Sequence, residues 1–273
     1  MSSINENIEI ICLLEGIYQK YGYDFRNYSQ ASVRRRLKLK LNSSNLPSYS
    51  AMLHKVLYEK DFFDSLLLDL TINVTEMFRD PTFYKALRSD IVPILKTYPH
   101  IKIWHAGCST GEEVYSMAIL LEEEGLLKRS LIYATDINEL VLAKAKEGIF
   151  PLEKIKEYTT NYQRAGGTES FAEYYTASYD AVIMKKRLKD KIVFSQHNLA
   201  TDGIFTEAHL IVCRNVLIYF NKELQNKVLG LFKDSLIRKG VLALGSKETI
   251  KFSNYANDFI ELVGKEKIYG KIR

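Results

Sequence analysis

At 273 residues the chain is long enough for one large or two modest domains, and long enough to bury a full hydrophobic core. Apolar residues at 47% and charged residues at 26% exclude a disordered or fibrous protein, and a net charge of +5 is too small to imply nucleic-acid binding without a concentrated patch. Cys12, Cys108 and Cys213 are odd in number and widely spaced. They form neither a disulfide framework nor a zinc-ligand pattern, which points to a reducing compartment and no metal. With no apolar run near the ~18 residues of a membrane helix and no basic leader, a soluble cytoplasmic protein is expected.

Residues 1–72 read as a small helical domain. Ile8, Ile11, Leu14 and Ile17 open an amphipathic helix, and further helices fit about 29–41, 47–57 and 59–70. Residues 73–100 read as a helical linker. Within it, Thr75 and Arg79 would share a face if the segment is helical, and Asn73 with Glu76 has the spacing of a capping box.

From residue 101 the texture changes. Strand-like runs at 101–106, 131–135, 192–195, 209–213, 241–244 and 267–272 alternate with helices over 112–124, 138–147 and 222–237. That alternation predicts a doubly wound, mostly parallel α/β sheet over 101–273. Residues about 160–195, with Gly166-Gly167 and several tyrosines, break the rhythm, and about 168–196 reads as a small antiparallel β insertion.

The strongest local signal is Ala106-Gly-Cys-Ser-Thr-Gly111-Glu-Glu113, between a strand and a helix. A glycine turn there lets the backbone approach a ligand closely. The same residues spell G-x-S-x-G, which would make Ser109 a hydrolase nucleophile with Asp202 and His209 as partners. The next strand weighs against that reading. It ends in Thr135-Asp136-Ile-Asn138, an acid where a ribose diol is bound in nucleotide folds. Glu112 and Glu113 at the helix start repel phosphate and favour a cationic ligand. S-adenosylmethionine has that chemistry: an adenosine, no phosphate, a sulfonium and an amino group. Arg214, Asn215 and Tyr219 follow an apolar strand, at the sheet edge where ligands bind.

Taken in order, Asn73-Val-Thr-Glu-Met-Phe-Arg-Asp80, Ile103–Ala118, Ala134-Thr-Asp-Ile-Asn138 and Val212-Cys-Arg-Asn-Val-Leu-Ile-Tyr-Phe220 resemble the CheR-type chemotaxis receptor methyltransferases. The resemblance covers about residues 5–272. It implies a Rossmann-like methyltransferase domain behind an all-helical one, and transfer of a methyl group from S-adenosylmethionine to receptor glutamates, leaving S-adenosylhomocysteine. By resemblance, Asn73, Thr75 and Arg79 contact the cofactor from the linker, with Gly107 in the turn. Glu113 holds its amino acid end, Asp136 the ribose, Asn138 the adenine surroundings, and Asn198 and Leu199 flank the base. Arg214 and Tyr219 line the methyl-transfer site, with Asn215 beside them. Asn138 stands where the family often has an acid.

The implied partner is the acidic helical methylation region of transmembrane chemoreceptors. Between Phe25 and Tyr58 there are seven Lys or Arg and no acid. Arg34, Arg35 and Lys38 are the expected docking residues. A receptor C-terminal peptide could add to the β insertion, and a monomer without nucleic-acid or membrane insertion is expected. The readings from other classes are a non-catalytic S-adenosylmethionine-binding regulatory module and the Ser109 hydrolase.

Overall fold

The computed structural model describes residues 2–71 and 75–272. The first domain is built from α1 (Ser2–Tyr21), α2 (Gln30–Ser43), α3 (Tyr49–Tyr58) and α4 (Lys60–Leu70). Ser48 starts α3 as its cap, its hydroxyl accepting from the Ala51 N–H at 3.1 Å. In α4, Phe63, Leu66, Leu67 and Leu70 recur at helical spacing and are buried. They pack against Ile10, Leu13 and Ile17 of α1 and Val33 and Leu37 of α2. Each such fully buried side chain contributes about 1.5–3 kcal/mol. The buried face of α2 also carries Arg36 and Lys40.

The linker departs from the helical expectation. Helix begins only at α5 (Pro81–Ala86), continues through a π-helical turn over Leu87–Ile91, and ends in α6 (Val92–Lys96). Phe78 and Asp80 have φ of 53° and 55°, a left-handed backbone that an α-helix does not tolerate. Pro81 then sets the φ of the first helical residue. Thr75 and Arg79 therefore do not share a helix face. Asn73, and with it the expected capping box, lies outside the described residues.

The α/β domain runs β1 (Ile101–Ala106), α7 (Glu112–Glu123), β2 (Ser130–Asp136), α8 (Glu139–Glu147), β3 (Ile149–Pro151), α9 (Ile155–Arg164), β4 (Tyr175–Ser178) and β5 (Ala181–Met184). It continues through α10 (Lys186–Lys189), β6 (Ile192–Gln196), β7 (Ala208–Cys213), α11 (Lys222–Ser235), β8 (Leu236–Leu244), β9 (Phe259–Val263) and β10 (Ile268–Lys271). The large sheet has the order β6-β2-β1-β7-β8-β10-β9. Its first five strands are parallel, and β10 and β9 close it antiparallel. Winding reverses between β1 and β7, which opens a crevice at their carboxyl ends.

The insertion also differs from its expected bounds. Ile192–Gln196 pairs in parallel with β2, so it is an edge of the large sheet. The small sheet is β3-β5-β4, drawing its first strand from Ile149 and ending at Met184. Strand β9 had no counterpart among the expected strands.

Candidate active site

A cavity of about 380 Å³ opens at the carboxyl ends of β1, β2 and β7, within the ~300–1,000 Å³ usual for small-molecule sites. Its floor is the turn after β1. Gly107 and Cys108 both donate to the Thr135 carbonyl, at 2.8 and 2.9 Å, tying that turn to β2. Gly107 has φ +81°, and a Cβ there would lie 2.5 Å from Val216 Cγ2. Only glycine meets both demands. Ser109 turns its N–H onto Asp136 Oδ2 at 2.9 Å, while Asn138 N–H donates to Oδ1 at 3.0 Å. Burial pushes the Asp136 carboxyl up, and these N–H groups work against it. Each oxygen retains acceptor capacity toward the cavity.

Opposite Asp136 sits a chain of charges. Arg214 Nη1 donates to Glu113 Oε2 at 3.0 Å and Nη2 to Asp80 Oδ2 at 2.7 Å. Its guanidinium carbon lies 4.0 Å from the centre of the Phe83 ring. His105 Nδ1 is 3.2 Å from Glu113 Oε1. Burial raises the Glu113 carboxyl, but the His105 hydrogen bond and the Arg214 charge outweigh it and hold the group below its ordinary range.

The loop bearing Arg214 is fixed from beneath. The buried Glu248 carboxylate accepts from Gly245 N–H (2.6 Å), Asn215 N–H (3.0 Å) and Val216 N–H (2.9 Å). Asn215 takes the left-handed backbone this requires, with φ 61°. Tyr219 ends the short turn Leu217–Tyr219 that follows.

A family model described as the CheR methyltransferase SAM-binding domain matches residues 73–266, and one for the CheR all-alpha domain matches residues 8–71. The chain belongs to the CheR methyltransferase family. A Pseudomonas putida relative named Cher3 is 54% identical over 270 residues, covering 99% of each chain. The chemotaxis protein methyltransferase 2 of Pseudomonas aeruginosa is 30% identical over 87% of this chain and 82% of its own. The chemotaxis protein methyltransferase of Salmonella typhimurium is 28% identical over 91% and 85%. The protein is thus an S-adenosylmethionine-dependent methyltransferase.

The cavity fits that cofactor. It presents acceptors for a diol and an ammonium in Asp136 and Glu113, the side-chain-free backbone of Gly107 in its lining, and the apolar Ile137 and Leu199 beside them. Of the residues expected from the CheR resemblance, Thr75, Arg79, Gly107, Glu113, Asp136, Asn198, Leu199, Arg214, Asn215 and Tyr219 line it.

Asn138 does not. It is buried, caps α8 by accepting from Leu140 N–H at 2.9 Å, and donates to Thr71 Oγ1 at 3.1 Å. Of the expected docking residues, Arg35 and Lys38 are exposed on α2, and the half-buried Arg34 donates to Asn7.

The hydrolase triad is not assembled. His209 accepts from Lys102 N–H at 3.0 Å, at the opposite end of β1 from the Ser109 turn; Ala106, where that turn begins, is about 13 Å along the strand from Lys102 at ~3.3 Å per residue. Asp202 instead accepts from Asn198 N–H at 2.8 Å.

Sequence reasoning gave no role to Asp80, to Glu248, or to Tyr28, which also lines the cavity. A signal existed for Asp80, an acid directly before Pro81 and beside Arg79. Glu248 ends the segment 240–248, which the resemblance covers without giving that residue a role, and Tyr28 carries no local signature.

Proposed function

We propose that this protein methylates glutamate side-chain carboxylates of chemoreceptors, giving glutamate methyl esters and S-adenosylhomocysteine. The observation that carries the proposal is Arg214, a buried guanidinium at the cavity wall that holds the buried Glu113 with one arm, at 3.0 Å, and the half-exposed carboxylate of Asp80 with the other, at 2.7 Å. A fork that takes a half-exposed aspartate there can take an incoming glutamate. The Salmonella and Pseudomonas aeruginosa relatives are named chemotaxis protein methyltransferases, which supports a chemotaxis protein as the acceptor.

S-adenosylmethionine supplies an electrophilic methyl on a sulfonium. The acceptor carboxylate is already the nucleophile, so passing that methyl to its oxygen, with the electron pair left on sulfur, would need no general base from the chain. The chain's residues then have three tasks. Asp136 takes the ribose hydroxyls, Asn198 and Leu199 flank the base, and Glu113, with Asn73, Thr75 and Arg79, holds the amino acid end. Arg214 pairs with the acceptor carboxylate and the Tyr219 hydroxyl orients it, with Asn215 fixing the loop between them. The cavity walls exclude water, which strips solvation from the carboxylate and raises its reactivity.

Docking falls to the basic outer side of α2, Arg34, Arg35 and Lys38, against an acidic receptor helix. The outer strand β4 of the small sheet offers an edge for a receptor C-terminal peptide. Among the described residues no helix is long and apolar enough to cross a membrane. The reading is of a cytoplasmic monomer that meets receptors at their cytoplasmic part.

The test is transfer from methyl-labelled S-adenosylmethionine to a chemoreceptor cytoplasmic fragment, with ester formation read as methanol released by alkali. Arg214→Ala is expected to lower kcat by about 10²–10³-fold, as loss of one charge-stabilising donor does elsewhere. Normal turnover in both Arg214→Ala and Tyr219→Phe would remove these two residues from the mechanism. Label on a group that resists alkali would refute the ester.

A further inference from the structure

Arg36 belongs to the basic run of α2 but turns away from Arg35 and Lys38. It joins Val33, Leu37 and Lys40 on the buried face and is 7% exposed. Lys40, on that same face, meets the Asp69 carboxylate at 2.8 Å. No such ion pair forms at Arg36 among the described residues. Its Nη1 donates to the carbonyl of Leu70, the last residue of α4, and Nη2 to Ser32 Oγ at 3.0 Å. Nε is buried without a partner. The guanidinium carbon lies 4.9 Å from the centre of the Tyr219 ring.

Leu70 and Tyr219 both line the cavity, one from each domain. One guanidinium therefore grips both walls. The Tyr219 backbone is held from the same side, since Ser29 N–H donates to its carbonyl at 2.7 Å and Tyr28 bridges Phe220. Burying a cation without a carboxylate is costly. Here the uncompensated charge sits behind an aromatic ring at a cavity that must admit an anion, where the low dielectric extends its reach.

We infer that Arg36 is a positioning residue for methyl transfer. It fixes the ring of Tyr219 through a cation–π contact and backs it with positive charge, acting on the acceptor through Tyr219 without touching it. This rests on the role given to Tyr219 above. Helix α2 would then serve on both sides: the outer one for docking, the inner one for the site.

The experiment combines Arg36→Met and Arg36→Lys with 3-fluorotyrosine placed at position 219. Arg36→Met should shift or broaden the fluorine resonance and lower kcat about tenfold, with KM and S-adenosylhomocysteine affinity by calorimetry within about twofold. Arg36→Lys, which keeps the charge but loses the fork, should recover part of kcat. In a Tyr219→Ala background, Arg36→Met should add less than about twofold, because the two residues act as a unit.

An unmoved fluorine resonance would overturn the inference, as would losses that multiply in the double variant. Tyr219→Ala at full turnover would instead remove the role of Tyr219 on which it rests, and the persisting fluorine shift would tell the two failures apart. Far-UV circular dichroism, which reads the helices of the first domain, together with the fluorescence of the buried Trp104 in the second, confirms that each variant is folded.

Discussion

Glu248→Gln is the sharpest test of how the Arg214 loop is held. The carboxylate spreads three backbone N–H groups over two oxygens: Oε2 accepts from Gly245 and Asn215, Oε1 from Val216. An amide can satisfy only one side. Its better orientation keeps the carbonyl on Gly245 and Asn215 and sets its own N–H₂ against the Val216 N–H. That leaves a buried donor facing a donor, worth about 1–3 kcal/mol. The two surviving bonds lose their charge assistance, about 1 kcal/mol each. Burial works the other way. It pushes the Glu248 carboxyl up, so a neutral amide is the cheaper group to bury and offsets part of the loss.

The net expectation is a destabilisation of about 2–4 kcal/mol, a large share of the ~5–15 kcal/mol that holds a typical domain folded. Trp104 is the only tryptophan and is fully buried on β1, so its fluorescence reports unfolding of the α/β domain alone. Urea titration followed at that residue gives the number. A loss under about 0.5 kcal/mol, with methyl transfer intact, would refute the view that Glu248 is what fixes the loop.

Two further outcomes follow from the same geometry. Because Glu113 is held below its ordinary value of 4.5, its share of the stability is present above that pH and is lost as pH falls through the lowered value. Glu113→Gln should therefore flatten the acid limb of the stability profile below about pH 4.5, and cost about 1–3 kcal/mol at neutral pH by half-freeing Arg214; an unchanged acid limb would contradict it. Asn138→Ala should cost about 1–2 kcal/mol through the lost α8 cap, yet leave S-adenosylhomocysteine affinity within about threefold. A large loss of affinity without a change in melting would put Asn138 back in the site.

Much of this was legible because the motifs are local. The run Ile101–Ala106, the glycine turn and the acidic residue ending the next strand each declare themselves within a few residues, and the fold places them side by side. What escaped needed tertiary information. Strand β9 exposes Ile260 and Leu262 at the sheet edge and buries only Phe259, so its pattern lacks the alternation that marks a strand. Residues 75–80 look helical by spacing but turn left-handed at Phe78 and Asp80 under the pull of the site, where Asp80 reaches Arg214. Asn138 carries the chemistry of both a ligand and a cap, and only the Leu140 contact decides between them. Arg36 was hidden among three consecutive arginines. Its spacing from Val33 and Lys40 places it on the inner face, a periodicity that the charge run obscured.

The most direct measurement is calorimetric titration of the full chain with S-adenosylhomocysteine, alongside Asp136→Ala and Asp136→Asn. Micromolar binding by the wild type, lost by at least about a hundredfold in Asp136→Ala and partly kept in Asp136→Asn, is the predicted result, since removing the acceptor leaves two hydroxyls unpaired in a buried site. Equal affinity in all three proteins would contradict the placement of the cofactor against β2.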